Sequence, residues 1–150
     1  MMENSIDLIN YGKKILKKCN INNSALDAEI LLSKATNISR ERIIINFKDK
    51  IKSSQVIKYF KFLNERKKKV PLAYITNEKE FWKKKFYINR SVLIPRPETE
   101  LLVDQTLKIS NKYSEKTILD IGTGSGCLII SVLLERKKWK GVAIDISKDA

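Results

Sequence analysis

Two carboxylates and three glycines are the residues whose spacing suits binding chemistry. They lie in Thr117-Ile118-Leu119-Asp120-Ile121-Gly122-Thr123-Gly124-Ser125-Gly126-Cys127 and in Gly141-Val142-Ala143-Ile144-Asp145-Ile146. Each stretch contains an apolar run that closes on an acid. Ile118, Leu119 and Ile121 suit a strand buried on both faces of a parallel sheet. A helical pattern, Leu128-Ile129-Ile130-Ser131-Val132-Leu133-Leu134, follows the glycines. Glycine reaches φ values that side chains forbid and lets the backbone approach a ligand closely. The free N–H groups at the start of the next helix make the turn partly electropositive. Strand, glycine loop, helix and second strand together form a nucleotide-cofactor site of the doubly wound α/β kind.

The loop reads G-x-G-x-G, whereas the dinucleotide fingerprint is G-x-G-x-x-G, and Cys127 stands where its last glycine would fall. No Gly-Lys-Ser/Thr follows, so the loop is not a P-loop. Asp120, just ahead of the first glycine, would repel a pyrophosphate and attract a cation such as the ammonium or sulfonium of S-adenosylmethionine. Asp145 ends the second strand, where a carboxylate accepts hydrogen bonds from ribose hydroxyls. It serves NAD and S-adenosylmethionine equally. The loop spacing disfavours an NAD-dependent oxidoreductase. A bare strand-to-helix turn is the simplest alternative, and two acids at the two strand ends argue against it.

The chain has 150 residues and is 43% hydrophobic, enough for one ordinary domain or a small domain plus part of another. No apolar run is long enough for a transmembrane helix, and no membrane role is expected. Residues 1–10 contain Glu3 and Asp7 and lack the apolar centre of a signal peptide. Cys19 and Cys127 are far apart, and the chain has no histidine. No metal site is expected, and reduced thiols in the cytoplasm fit this usage. The net charge of +13 invites a nucleic-acid reading. Lysine far outnumbers arginine, however, and Ile and Asn abound, as in drift toward A/T-rich codons. Runs such as 66–69 and 83–85 read as solvated faces. Direct nucleic-acid binding is not expected, while proximity to the ribosome is compatible with the charge.

The elements that must position these residues begin with helices. Asn4 or Ser5 caps a helix with Ile6, Ile9 and Leu16 on one stripe. Ser24 and Asp27 resemble a capping box ahead of Leu26, Ile30 and Leu31. Ser39 caps a segment from Arg40 to Phe47. Ser53 or Ser54 opens a longer helix carrying Val56, Phe60 and Leu63, flanked by Tyr59 and Phe62. After Pro71, Leu72–Ile75 reads as extended. Glu78–Trp82 and Lys85–Ile88 read as a β-hairpin, with Phe81-Trp82 facing Phe86-Tyr87. In Val92-Leu93-Ile94-Pro95-Arg96-Pro97-Glu98-Thr99-Glu100, Pro97 suits the first helical position and the two acids suit the macrodipole. That segment reads equally well as a capped helix start or as a rigid stretch over the cofactor pocket with Arg96 and Thr99 aimed inward.

Four stretches carry a resemblance. They are Pro71-Leu72-Ala73-Tyr74-Ile75-Thr76, Glu80-Phe81-Trp82, Leu93–Glu100 and Leu119–Cys127. Together they resemble the release-factor glutamine methyltransferase (PrmC/HemK) family, and the most specific part is Arg96-Pro97-Glu98-Thr99-Glu100. The resemblance spans essentially the whole chain. It implies α+β then α/β architecture: a helical bundle for docking the release factor (1–70), a β-hairpin linker (71–94), and the truncated start of a class I, Rossmann-like methyltransferase domain (95–150). The implied reaction moves a methyl group from S-adenosylmethionine to the glutamine side-chain nitrogen (N5) of the Gly-Gly-Gln motif in bacterial class I peptide chain release factors. By the same resemblance Gly122, Thr123, Gly124, Ser125, Gly126 and Asp145 bind the cofactor, and Arg96, Pro97, Thr99 and Asp120 line the pocket.

The chain also departs from the family pattern. Asn77 and Lys83 stand where the family has glycine. The family's Asn-Pro-Pro-Tyr motif, which would position the substrate amide, does not occur in these residues, so no catalytic residue is assigned. The expectation is an incomplete chain that does not catalyse by itself. The alternatives are a non-catalytic module that docks a release factor or a ribosome-associated partner, and a ribosomal-protein glutamine methyltransferase relative. Pro97–Glu100 favours the release-factor enzyme over the latter.

Overall fold

The structure is a computed structural model that describes residues 4–45, 50–110 and 114–150. The chain divides into two compact units, Met1–Thr76 and Asn77–Ala150.

The first unit is helical. Helix α1 (Ser5–Lys18) starts at Asn4, whose Oδ1 accepts the Asp7 N–H at 2.9 Å. Such a cap contributes about 1 kcal/mol. The buried stripe of α1 is Ser5, Leu8, Gly12 and Leu16. This corrects the expected stripe through Ile6, which is exposed. One residue of phase separates the two readings, and packing against the neighbouring helices decides it.

Helix α2 (Ser24–Thr36) packs on α1 and on α4 (Ser53–Lys67). Its N-cap is Asn23, without a side-chain cap bond. The expected Ser24–Asp27 capping box is absent because Asp27 turns inward. Its carboxylate, 4% exposed, accepts from Arg66 Nε at 2.7 Å. Arg66 Nη1 also donates to the Val70 carbonyl at 3.0 Å, which ties down the chain after α4.

Helix α3 (Arg40–Ile45) carries the expected Ser39 cap, with the Arg42 N–H donating to Ser39 Oγ at 3.3 Å. Phe47 lies outside the described residues. Ile43 is buried, and Ser5 Oγ donates to its carbonyl at 3.3 Å.

On α4 the deepest residue is Tyr59, read from the sequence as a flank. It is fully buried, and its hydroxyl donates to the Leu8 carbonyl at 3.1 Å. Burial pushes the Tyr59 pKa far above the ordinary phenol value. The Tyr59 hydroxyl fits only because α1 presents Gly12 at that point.

Leu72–Thr76 is a helical turn (α5), not the extended run expected after Pro71. The Tyr74 and Ile75 N–H groups donate to the Pro71 carbonyl at 3.1 and 3.3 Å. Proline restricts the residue before it, Val70, and is tolerated at a helix start, where its missing N–H would have no partner.

The second unit opens with strands β1 (Glu78–Phe81) and β2 (Lys84–Tyr87), paired antiparallel. Phe81 and Phe86 meet edge to face, with centroids 6.2 Å apart. Trp82 does not sit in the ladder as expected. With Lys83 it forms the two-residue turn, at φ +47° and +59°. Such a turn needs left-handed backbone at both positions, and side chains resist it. Replacing Lys83 by glycine is therefore expected to stabilise this unit by about 1 kcal/mol. Calorimetric melting of K83G checks this, and a lowered midpoint would count against it.

A 3₁₀ turn (Pro97–Thr99) leads into α6 (Glu100–Ile109). Strand β3 (Thr117–Ile121), helix α7 (Cys127–Glu135) and strand β4 (Lys140–Ile144) form a β-α-β unit, with the strands parallel and Ile121 opposite Ile144. Gly141 allows α7 to pack closely. An added Cβ would fall 2.7 Å from Ile129 Cδ1.

The sheet is not covered on both faces as the apolar run suggested. Burial alternates along β3, and Leu119, Ile121, Val142 and Ile144 lie exposed. Alternation of side chains across the pleat puts these four on the face away from α7. Among the described residues, no helix is long and apolar enough to cross a membrane.

Candidate cofactor site

The glycine loop leaves β3 at Ile121 and enters α7 at Cys127. Gly122, Gly124 and Gly126 hold φ of +76°, +53° and +70°, conformations that L side chains rarely adopt. The loop is tied to the second strand. The Gly122 and Thr123 N–H groups donate to the Ile144 carbonyl at 2.8 and 3.1 Å. The Gly126 N–H donates to the Thr123 carbonyl at 2.9 Å and closes the turn.

Both acids singled out in the sequence hold this loop. Asp120 Oδ2 accepts from Thr123 Oγ1 at 2.8 Å. Asp145 bridges two segments: Oδ2 accepts the Gly124 N–H at 2.7 Å, and Oδ1 accepts the Ser147 N–H at 2.8 Å. These bonds, led by the Ser147 amide and then that of Gly124, hold the Asp145 carboxyl below its ordinary range. A group shifted this way stabilises the fold above the ordinary carboxylate value. That contribution is lost as pH falls through the depressed value.

Above the loop there is room. A Cβ at Gly122 would meet nothing within 4 Å, and one at Gly124 would meet only Val92 Cβ at 3.9 Å. A cleft of about 640 Å³ opens here, lined by Thr123–Gly126 and by Phe86, Tyr87 and Ile130 among others. Four loop amides, those of Gly122, Thr123, Gly124 and Gly126, already donate within the protein. A pyrophosphate would find few donors left and two carboxylates nearby. A ligand with a cationic centre and hydroxyl groups matches the arrangement better. Burial pushes the Cys127 thiol above its ordinary value, which disfavours the thiolate form.

Hydrogen bonds bring Asp120 and Asp145 to the glycine loop, of which Thr123, Gly124, Ser125 and Gly126 line the cleft. Asp120, Gly122 and Asp145 lie outside its lining, as do Arg96, Pro97 and Thr99. Pro97 instead lines a second groove of about 350 Å³ with Pro95, Glu100, Phe81 and Lys83. Ser147, the second anchor of Asp145, carries no signal in the sequence. Phe86 and Tyr87 wall the cleft as well as forming the hairpin, and no sequence pattern marks that second role.

Comparison with known proteins finds relatives for both units. Residues 7–76 match the PrmC N-terminal domain, so the helical unit is of that domain family. Beyond that unit the resemblance continues to proteins named release factor glutamine methyltransferase. That of Leptospira interrogans is 41% identical over 97% of this chain and 51% of its own length. That of Caulobacter vibrioides is 35% identical over 93% and 48%. A bifunctional methyltransferase of Rickettsia typhi is 36% identical over 95% of this chain and 31% of its own length. The chain spans about half the length of the release factor glutamine methyltransferases it matches.

Proposed function

We propose that this chain carries the methyl-donor site of a release factor glutamine methyltransferase of the class I, Rossmann-like kind. The carrying observation is the glycine loop pinned between Asp120 and Asp145, with open space over Gly122 and Gly124. The names of its relatives support the reaction class. S-adenosylmethionine, when bound, supplies an activated methyl group on a sulfonium. The protein's part is to bind and orient it. Gly122–Gly126 give close backbone approach, and Asp145 accepts from the ribose hydroxyls. Asp120 supplies negative charge near the cationic centre, while Arg96, Pro97 and Thr99 are assigned to the margin on the family resemblance. The acceptor is the Gly-Gly-Gln glutamine of a peptide chain release factor, and the helical unit docks that protein.

Calorimetric titration tests the donor site. S-adenosylhomocysteine should bind the chain, whereas NAD should give no heat. Asp145→Ala should weaken the binding about 10- to 100-fold, the loss of a charged hydrogen bond. Binding of NAD with S-adenosylhomocysteine silent would overturn the assignment, as would an affinity untouched by D145A.

A further inference from the structure

The hairpin that walls the cleft is a two-stranded ribbon, and such a ribbon is marginal by itself. Its turn is also strained, with Trp82 and Lys83 both in left-handed backbone. Two acids from different helices hold Trp82. Glu100, the first residue of α6, accepts the Trp82 backbone N–H at 3.0 Å through Oε1. Glu135, the last residue of α7, accepts the indole Nε1–H at 3.0 Å. At the other end of the ribbon, Asn77 Nδ2 donates to the Ile88 carbonyl at 2.9 Å, and the Ile88 N–H donates to the Asn77 carbonyl at 3.2 Å. The ribbon is therefore fixed at both ends. The strand between them, β2, presents Phe86 and Tyr87 to the cleft beside the glycine loop.

The ordinary explanation of Glu100 is its charge at a helix start, worth a few tenths to about 1 kcal/mol. That explanation does not account for a carboxylate oxygen placed on the N–H of a strained turn far away in sequence. We propose that Glu100 is a positioning residue for the donor site: through Trp82 it sets the hairpin wall against the glycine loop, and Glu135 is the second anchor. This rests on reading the loop as the methyl-donor site. The two explanations part at Glu100→Gln, which keeps an acceptor oxygen and loses the charge.

The test combines amide hydrogen exchange with S-adenosylhomocysteine calorimetry on the whole chain. Glu100→Ala should speed exchange of the 84–87 amides about tenfold and weaken S-adenosylhomocysteine about fivefold. Glu100→Gln should restore both. Glu135→Ala, an exposed change that leaves the core intact, should give a smaller shift in the same segment and keeps the test available if E100A does not fold. Unchanged exchange at 84–87 in E100A and E135A would overturn the proposal. So would E100Q as impaired as E100A, which would leave only the helix-charge role. If the unmutated chain takes no S-adenosylhomocysteine, the donor-site reading fails, while the exchange measurements still decide the anchoring.

Discussion

Gly12→Ala is expected to destabilise the helical unit by about 2–3 kcal/mol. Its sign is opposite to the usual one, since alanine in a helix interior normally gains about 1 kcal/mol over glycine. Here a Cβ would run into the Tyr59 hydroxyl and crowd the Ala28 Cβ, 3.1 Å away. Overpacking of this kind costs about 1–3 kcal/mol. Moving the hydroxyl also breaks its bond to Leu8, worth about 1 kcal/mol. For a unit of this size the melting midpoint should fall by roughly 10–20 °C. Removing the obstacle provides the control. Tyr59→Phe alone should cost about 1 kcal/mol, and G12A added on top should cost much less than in the unmutated chain. Additive losses would show that the clash is relieved elsewhere and would refute the explanation.

The second large effect concerns Arg66. Asp27 is 3% exposed, and Arg66 is its ion-pair partner in the described structure. Arg66→Met would leave a buried carboxylate without its counter-charge. Loss of one partner of a buried pair costs about 3–5 kcal/mol. Arg66 keeps part of its surface in water, so the lower end, about 3 kcal/mol, is expected. The Val70 carbonyl loses its donor as well. Replacing both partners, R66M with Asp27→Leu, should recover most of the loss, because two apolar groups leave nothing unpaired. Urea unfolding followed by helical circular dichroism measures all three variants. A loss below 1 kcal/mol for R66M would mean that water reaches Asp27.

Local signals in the sequence carried much of this structure. The Asn4 and Ser39 caps, the hairpin strands and the glycine loop with its two acids all depend on neighbours within a few residues. Backbone chemistry dictates them. What was misread depends on distant partners. Asp27 sits three residues after a serine and looked like a cap, but Arg66 draws it inward. Tyr59 looked like a flank because its bond to Leu8 crosses between helices. The stripe of α1 shifted because Gly12 gives way to that tyrosine. Pro71 misled for another reason: the restriction falls on Val70, and the residues after it were free to turn. At the site, the strand-end acids were legible as binding groups. Their bonds to Thr123, Gly124 and Ser147 were not, since no pattern encodes where a carboxylate points.

One of those bonds bears on the kinetics of ligand capture. The Gly124 N–H is held by Asp145, a bond made within the protein itself. A glycine-rich loop normally surrenders much backbone freedom when it closes on its guest, about 1–2 kcal/mol per residue fixed. Here much of that entropy is given up during folding instead. A ligand therefore meets a rim already in shape, and less of its contact energy is consumed in ordering the protein. Encounter should then proceed without a slow closing phase, and association should follow a single exponential whose rate rises linearly with ligand concentration.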